Sequence, residues 1–262
     1  MPELPDVERF KMYVDATSLH QTVARVEVRD AAVLAGIARE ALRSSLEGRA
    51  FEGTSRHGKF LFLHPEFPPL LVLHFGMTGY LDYARCDREP PKHTRVVFEF
   101  AKGYRLAYVC QRKLGNVAVA DDRKAFIEQH RLGPDALDEQ FVFDAFAERL
   151  SGRRTGIKSA LMDQAVMAGV GNIYADEVLY QAGIAPQRRV PDLDEAALRK
   201  VYQAMRRVLK TAIRHKAEVS QFPRTYLLRR READGRCPGC DNELKTARIG
   251  GRGAYFCPHC QR

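Results

Sequence analysis

The sequence lacks the features that would place the chain among membrane, exported or repetitive proteins. No stretch approaches the roughly 20 consecutive apolar residues that a transmembrane helix requires. The first fifteen residues carry six charged side chains, a pattern that does not indicate an export signal. Neither an internal repeat nor a low-complexity tract is present. We therefore expect a soluble, cytoplasmic protein without a membrane partner.

Acidic residues are scarce relative to basic ones. The 262 residues include 33 Asp and Glu against 42 Lys and Arg, which gives a formal charge of +9 and a pI near 9.3. The hydrophobic share of 45% and the charged share of 29% are close to globular averages and exclude disordered, collagenous and coiled-coil chains. The length suits one large domain or two ordinary ones. The basic surplus favours a polyanionic partner without identifying it.

Cysteine is rare except at the carboxyl end. Four of the six cysteines form the pairs Cys237-Pro-Gly-Cys240 and Cys257-Pro-His-Cys260. This spacing is typical of a zinc ribbon, in which each pair donates two thiolates to one tetrahedral ion. Two disulfides are the alternative, but a chain without an export signal is expected in a reducing compartment. His259 is a possible substitute ligand, although four cysteines leave it no vacancy.

The periodicity of apolar residues changes along the chain. The first half predicts strands, among them residues 22–29, 60–63, 70–75, 95–100 and 104–109, after a helix from Pro5 to about Ala16. Beyond a linker, helices are predicted over residues 141–150, 159–164, 173–181 and 194–215. The chain is therefore predicted to be an α+β protein. Its expected parts are a β-rich domain at 1–130, a linker at 131–139, a helical domain at 140–220 and a zinc module at 232–262.

The amino terminus offers a reactive group. In Met1-Pro2-Glu3, removal of the initiator methionine would leave Pro2 with a free secondary amine. An α-amine titrates near 7.7–8.0, and the positive end of the following helix disfavours its protonated form. Such an amine can attack a sugar aldehyde carbon, and Glu3 could protonate the departing ring oxygen. Without further context, an ordinary helix start is the alternative.

Several short segments are ambiguous when each is taken alone. Lys59 lies in a basic turn and is either a phosphate or acid–base group or a solvated lysine. Met77, between two glycines at a strand end, is either a functional residue or core filling. The loop Gln111-Arg112-Lys113-Leu114 has an apolar tip among cations, so it could enter a base stack while its cations bind phosphates.

The second half contains further candidates for anion binding. Arg153, Arg154 and Lys158 lead into the helical region, and the turn from Gly169 to Tyr174 opens a helix whose first amides could bind phosphate. Gly250-Gly251-Arg252-Gly253 lies between the two cysteine pairs and predicts a tight hairpin that projects Arg252.

The joint order of these segments resembles the formamidopyrimidine-DNA glycosylase and endonuclease VIII family of base-excision repair enzymes. The resemblance spans the whole chain, and it is closer to the formamidopyrimidine branch at Leu4 and Asn172-Ile173-Tyr174. The matching segments are Pro2 to Glu8, Lys59, His74 to Gly79, Pro91-Lys92-His93, Gly169 to Ala175, Ala182 to Pro186, and the four-cysteine finger with Arg252.

This resemblance implies an N-terminal β-sandwich with an N-terminal helix, a helix–two-turn–helix region around residues 158–183 and a zinc finger, with DNA between the domains. It implies a monomeric, nucleoid-associated, bifunctional enzyme with one structural Zn²⁺ and damaged or abasic double-stranded DNA as partner. Pro2 would attack C1′, Glu3 would assist ring opening, Lys59 would act in β-elimination, and Arg252 would assist δ-elimination. The implied DNA contacts are Met77, His93, Arg112, Leu114, Arg153, Lys158 and Asn172, with Met77, Arg112 and Leu114 filling the space of the extruded base.

The chain departs from the family pattern at three places. Cys110 to Gly115 replaces the usual Asp-Pro-Arg-Arg-Phe-Gly, so that Leu114 forms a smaller wedge than phenylalanine. Asp6 replaces a glutamate, and the segment 215–236 is short for a loop that covers oxidised guanine. We therefore expect weak 8-oxoguanine recognition, with ring-opened purines or oxidised pyrimidines as substrates.

Two other functions compete with this interpretation. A non-catalytic or lyase-only DNA-damage-binding protein on the same scaffold would bind DNA in a salt-sensitive manner. A zinc-ribbon adaptor for RNA or protein would explain the finger and the charge, but it leaves Pro2-Glu3 and the Gly169 turn without a role.

Overall fold

The computed structural model describes residues 1–262 and separates into two compact units. The first comprises Met1–Pro2 and Asp6–His130, and the second comprises Glu3–Pro5 and Arg131–Arg262. No helix has both the length and the apolar character needed to cross a membrane. The helices are α1 (Leu4–Thr17), α2 (Arg39–Leu46), α3 (Arg123–Gln129), α4 (Phe143–Leu150), α5 (Ile157–Met162), α6 (Asn172–Ala182) and α7 (Glu195–Arg214). The strands are β1 (Val23–Val28), β2 (Phe51–His57), β3 (Phe60–Pro65), β4 (Leu70–His74), β5 (Gly79–Arg85), β6 (Thr94–Phe100), β7 (Tyr104–Cys110), β8 (Asn116–Ala120), β9 (Lys245–Ile249) and β10 (Arg252–Phe256).

Two antiparallel four-stranded sheets form the first unit, with strand orders β1-β6-β7-β5 and β2-β3-β4-β8. Alternating apolar side chains from both sheets, together with α1, fill one core that includes Val26, Phe98 and Leu73. The predicted β6–β7 hairpin is present, with Phe98 opposite Leu106 and a positive φ of 80° at Gly103. Alternating strands and glycine turns predicted a β-rich domain, and the family resemblance implied its sandwich architecture.

Helices α4 to α7 build the second unit around their own apolar core. Helix α7 buries Val201, Met205 and Val208 on one face, and its N-cap Asp194 accepts a hydrogen bond from the Ala197 amide at 2.7 Å. The α5 boundary differs from the prediction of 159–164. The helix ends at Met162 because the Asp163 carboxylate accepts from the Ala165 amide at 2.9 Å and starts a turn instead.

Helices α2 and α3 were not predicted. Each has only seven or eight residues, so few apolar positions repeat; α2 buries only Leu42 and Leu46. The start of α3 depends on a local cap, in which the Asp122 carboxylate accepts from the Ala125 amide at 2.8 Å. The mixed architecture agrees with the predicted α+β class, with the β9–β10 hairpin and the four-cysteine cluster at the carboxyl end.

Candidate active site and metal centre

Pro2 lies two residues before Leu4, the first residue of helix α1, and is half-buried, whereas Met1 is 37% exposed. Its nitrogen is part of a peptide bond as long as Met1 is attached. Removal of that residue would convert it into a secondary amine close to the positive end of α1.

The Glu3 carboxylate is fully buried at the start of helix α6, inside the second unit. Its Oε2 accepts from the Gly171 amide at 2.8 Å and from the Tyr174 amide at 3.2 Å. Its Oε1 accepts from the Ile173 amide at 2.8 Å. These donors belong to the first turn of a helix, where amides lack intrahelical partners and attract negative charge. The turn that the sequence predicted as a phosphate site thus holds a side chain of the protein itself.

Two glycines make this arrangement possible. Gly169 has a φ of 117°, and a Cβ there would overlap the Leu4 side chain. A Cβ on Gly171 would overlap the Glu3 carboxylate carbon. The Leu4 amide also donates to the Gly169 carbonyl at 3.1 Å. The turn is therefore glycine-rich because the segment from Glu3 to Leu4 lies directly against its backbone.

Lys59 occupies the two-residue turn between β2 and β3, where His57 is opposite Phe60 and Gly58 has a φ of 57°. His74, at the end of β4, is paired with Phe60 of β3. Burial, reinforced by the positive charge of Lys59, lowers the pKa of His74 to about 4. His74 is therefore a neutral imidazole beside the Lys59 ammonium at neutral pH, a feature that sequence reasoning did not identify.

The His74→Gln substitution should reduce the acid sensitivity of the fold. A histidine titrates near 6.5 in the unfolded chain, and His74 titrates at about 4 in the folded chain. The unfolded state binds more protons between these values, so the free energy of unfolding falls as the pH decreases through this window. The slope contributed by one group is at most about 1.4 kcal/mol per pH unit.

Urea unfolding at several pH values checks this expectation. The His74→Gln variant should lose less stability than the parent between pH 6.5 and 4. The control is His20→Gln, which changes a histidine whose side chain is 67% exposed beside Glu52. Equal pH slopes for the parent and the His74 variant would contradict the assignment.

Two loops of the first unit pack backbone against backbone at the ends of β4 and β7. Gly76 has a φ of 58°, and a Cβ there would overlap the Leu114 carbonyl group. A Cβ on Gly115 would overlap the Tyr108 hydroxyl, which donates to the His74 carbonyl at 2.7 Å. The Arg112 amide donates to the Thr78 hydroxyl at 3.3 Å. The structure thus brings the predicted Met77 segment next to the loop that carries Arg112 and Leu114.

The same loop presents its tip to solvent. Leu114 is 52% exposed, Arg112 is exposed, and Met77 is half-buried rather than part of the core. His93, in a left-handed turn with a φ of 69°, accepts the Cys110 amide at 3.1 Å through its carbonyl. The predicted DNA contacts of the first unit therefore lie at one end of the sandwich.

Lys158 occupies a different environment from the one predicted. It is fully buried, and its Nζ lies 2.7 Å from Asp176 Oδ1 and donates to the Gly253 carbonyl at 3.0 Å. Burial lowers the pKa of Lys158, while Asp176 opposes that effect. The Arg231 guanidinium donates to Asp176 Oδ2 at 2.9 Å and lies over the Tyr255 ring. This geometry does not support the predicted phosphate contact and indicates a tie between α5, α6 and the β9–β10 hairpin.

The hairpin itself exposes Arg252. Gly250 and Gly251 have φ values of 55° and 75°, as the predicted tight turn requires. A Cβ on Gly250 would lie 2.8 Å from Ser159 Oγ, so the turn packs directly against α5. Arg252 is exposed at the start of β10. The Lys158–Asp176 pair and this turn together fix the base of the strand that carries Arg252.

The two remaining predicted contacts are placed differently. Arg153 is half-buried, and its Nη1 pairs with Asp163 Oδ2 at 2.8 Å, so a phosphate would have to share or displace that carboxylate. Asn172 is the first residue of α6, and its buried Oδ1 accepts no hydrogen bond. The amides of this helix start are occupied by Glu3, so the contact of Asn172 with DNA stays a prediction.

The four terminal cysteines form a metal centre. Their sulfur atoms all lie within 4.8 Å of one another, with Cys237 to Cys260 at 3.7 Å and Cys240 to Cys257 at 3.5 Å. Thiolates that bind one tetrahedral Zn²⁺ at about 2.3 Å are separated by about 3.8 Å. The Gly239 amide donates to Cys237 Sγ at 3.4 Å, a typical second contact for a metal-bound thiolate. The cluster fits one structural Zn²⁺, as predicted, and His259 is not part of it.

Known protein families match consecutive parts of the chain. The model of the formamidopyrimidine-DNA glycosylase N-terminal domain matches residues 1–117, and that of the formamidopyrimidine-DNA glycosylase H2TH domain matches residues 132–224. The model of the zinc finger found in FPG and IleRS matches residues 235–262. Together these matches span both units.

Individual proteins are similar over their full length. The formamidopyrimidine-DNA glycosylase of Moorella thermoacetica is 39% identical over 264 residues, covering 99% of this chain and 92% of that protein. The Desulfitobacterium hafniense enzyme of the same name is 32% identical over 274 residues and covers 100% of both chains.

Solved structures of similar proteins have the same fold. Lactococcus lactis Fpg, bound non-covalently to DNA with an AP site, superposes with a TM-score of 0.90 at 28% identity over 99% of both chains. MutM in complex with DNA containing carbocyclic 8-oxo-G gives a TM-score of 0.91 at 26% identity. Domain matches, full-length relatives and fold agree: the chain belongs to the formamidopyrimidine-DNA glycosylase family.

Proposed function

We propose that this chain is a bifunctional DNA glycosylase and AP lyase that excises oxidised or ring-opened bases from double-stranded DNA. The observation that carries the proposal is the N-terminal Pro2-Glu3 pair, with the Glu3 carboxylate fixed by three amides at the start of α6. This buried carboxylate follows Pro2 directly in the chain, which supports a role for Glu3 in a reaction at Pro2. The damaged and abasic DNA bound by similar proteins supports the substrate class.

The reaction begins with the processed amine of Pro2. Its lone pair attacks C1′, the bond from C1′ to the damaged base breaks, and the base leaves with the electron pair and takes up the proton that the Pro2 nitrogen loses. Opening of the sugar ring then breaks the bond from C1′ to O4′, with Glu3 assisting proton transfer to O4′. The resulting iminium ion is an electron sink that acidifies the C2′ proton.

Two eliminations complete strand cleavage. Loss of the C2′ proton expels the 3′ phosphate in β-elimination. Lys59 acts in this step. Loss of a second proton expels the 5′ phosphate in δ-elimination, with Arg252 holding the phosphate. No step requires the zinc ion, which stabilises the finger that carries Arg252.

The enzyme acts as a monomer on chromosomal DNA in the cytoplasm.

Cleavage of a panel of duplexes tests this function. Abasic sites, ring-opened guanine, oxidised pyrimidines and 8-oxoguanine are each placed opposite all four bases. We expect abasic sites to be cut fastest, because no base has to be expelled, and ring-opened purines faster than 8-oxoguanine, because the segment 215–236 is short for a loop that covers oxidised guanine. Products should carry phosphate at both ends of a one-nucleotide gap.

Variants separate the steps of the proposed reaction. Arg252→Gln should slow δ-elimination, so that products of β-elimination accumulate with the sugar remnant still bonded to the 5′ phosphate. Lys102→Ala, in an exposed hairpin turn, should behave as the parent. Cleavage of abasic DNA without excision of any base would favour a lyase-only enzyme. Salt-sensitive binding without any cleavage would favour a damage-binding protein and contradict the proposal.

A further inference from the structure

Arg95 of β6 binds the backbone of the loop between β7 and β8. The Arg95 Nε donates to the Cys110 carbonyl at 2.9 Å, and its Nη2 donates to the Gln111 carbonyl at 3.2 Å. Its Nη1 donates to Asp30 Oδ2 at 3.0 Å. The side chain of Arg95 is only 14% exposed, so its planar fork joins the loop backbone to the end of β1 in a single geometry.

Asp30 connects the same loop through its tip. Its Oδ2 lies 2.7 Å from Lys113 Nζ, and its Oδ1 accepts from the Ala32 amide at 3.0 Å. Lys113 has a φ of 53°, a left-handed conformation that costs energy for a residue with a Cβ. The hydrogen bond from Lys113 is the main reason that the pKa of Asp30 lies below its ordinary value. The ion pair therefore stabilises a strained tip residue.

We propose that Asp30 and Arg95 are positioning residues that hold the loop in the shape presenting Arg112 and Leu114 for insertion into DNA. Asp30 also neutralises Lys113, so Lys113 acts as an internal anchor rather than as a phosphate contact. This inference rests on the proposed function, because it assigns the loop to base extrusion. Both positioning residues belong to the first unit and are assigned no step of the proposed reaction.

The charge and the geometry of this cluster lead to opposite effects on two measurements. If the loop has to become ordered at the moment of insertion, part of the binding energy is used for that ordering and is not available to expel the base. Loss of the Asp30 carboxylate, in contrast, frees a cation for phosphate. A purely structural role would not weaken extrusion and strengthen non-specific binding at the same time.

The Asp30→Asn variant tests this combination. Binding to undamaged duplex should depend more steeply on salt, with the slope of log K against log salt increasing in magnitude by up to about 0.9. The fluorescence rise of 2-aminopurine opposite the lesion and kcat for base excision should both fall by about tenfold. Borohydride trapping on abasic DNA, where no base is expelled, should change less than twofold.

Two further variants separate the positioning of the loop from the loss of a charge. Arg95→Lys keeps the charge but cannot bond two carbonyls, so it should weaken extrusion without changing the salt slope. Lys113→Met should also weaken extrusion and leave the slope unchanged. Arg29→Gln, whose side chain pairs with Glu27 rather than with the loop, is the matched control.

Several outcomes would overturn the inference. A decrease of the salt slope by about 0.9 in Lys113→Met would show that Lys113 binds phosphate in the parent. Equal losses of excision and abasic trapping, or unchanged fluorescence in both Asp30→Asn and Arg95→Lys, would also contradict it. If the parent protein cleaves no DNA, the proposed function fails, whereas the salt slope and the fluorescence still report on the loop. Thermal melting of every variant identifies any that are unfolded.

Discussion

Replacing Gly171 with alanine is expected to lower base excision and abasic-site cleavage by at least about 100-fold. The new Cβ would overlap the Glu3 carboxylate, so that carboxylate must leave its three amide donors. A displacement of about 1 Å in a catalytic arrangement is sufficient for an effect of this size. Gly171 has a φ of −128°, which any residue can adopt, so the effect is steric rather than a consequence of backbone strain.

Steady-state cleavage and urea unfolding check this prediction together. Overpacking at a buried site should also lower the free energy of unfolding by about 1–3 kcal/mol. Gly53→Ala is the matched control, because a Cβ at Gly53 in β2 meets no atom within 4 Å. Glu3→Gln offers a second route to the same result, since an amide nitrogen cannot accept from the α6 amides. Parent-like activity in Gly171→Ala would contradict the proposed role of Glu3.

Breaking the buried pair between Lys158 and Asp176 is expected to produce the largest loss of stability in the second unit. Asp176→Ala leaves the Lys158 ammonium buried without a carboxylate, which typically costs about 3–5 kcal/mol. Lys158→Met should cost less, because Asp176 keeps Arg231 and the Tyr255 amide as partners. Replacing both members by apolar residues should be milder than Asp176→Ala.

Urea unfolding at several pH values distinguishes an unpaired buried charge from a loss of packing. Burial lowers the pKa of Lys158, so the folded state of Asp176→Ala should bind fewer protons than the unfolded state, and its deficit should shrink as the pH rises. Lys245→Ala, which removes an exposed pair with Glu243, should change stability by less than about 0.5 kcal/mol. A pH-independent deficit in Asp176→Ala would contradict the presence of a buried, unpaired ammonium.

The strands of the first unit, the long helix and the zinc cluster could be predicted from the sequence because each has a strong local signal, whereas the sandwich arrangement was implied by the family resemblance. Alternation predicted β6 and β7, amphipathic periodicity predicted α7, and paired cysteines predicted the finger. Helix α2 has no such signal, because only Leu42 and Leu46 mark its buried face.

The candidate site was predictable only in part. Motifs identified Pro2, Glu3 and the Gly169 turn, but not that the turn's amides hold Glu3 rather than phosphate. Lys158 was assigned to DNA because the family resemblance implies a contact at this position. Its partner Asp176 lies one helix later, and no spacing rule relates the two residues. Buried charge pairs of this kind depend on tertiary contacts, which a single sequence does not reveal.

The central claim is that the amine of Pro2 forms a covalent bond with deoxyribose. Borohydride reduction during incubation with abasic DNA, followed by proteolysis and mass spectrometry of the adduct, measures this directly. The account predicts a chain without Met1 and a sugar remnant on Pro2, with trapping lost in a variant that retains an N-terminal extension. An adduct on Lys59 or another lysine, or no adduct from methionine-processed protein that binds the DNA, would contradict it.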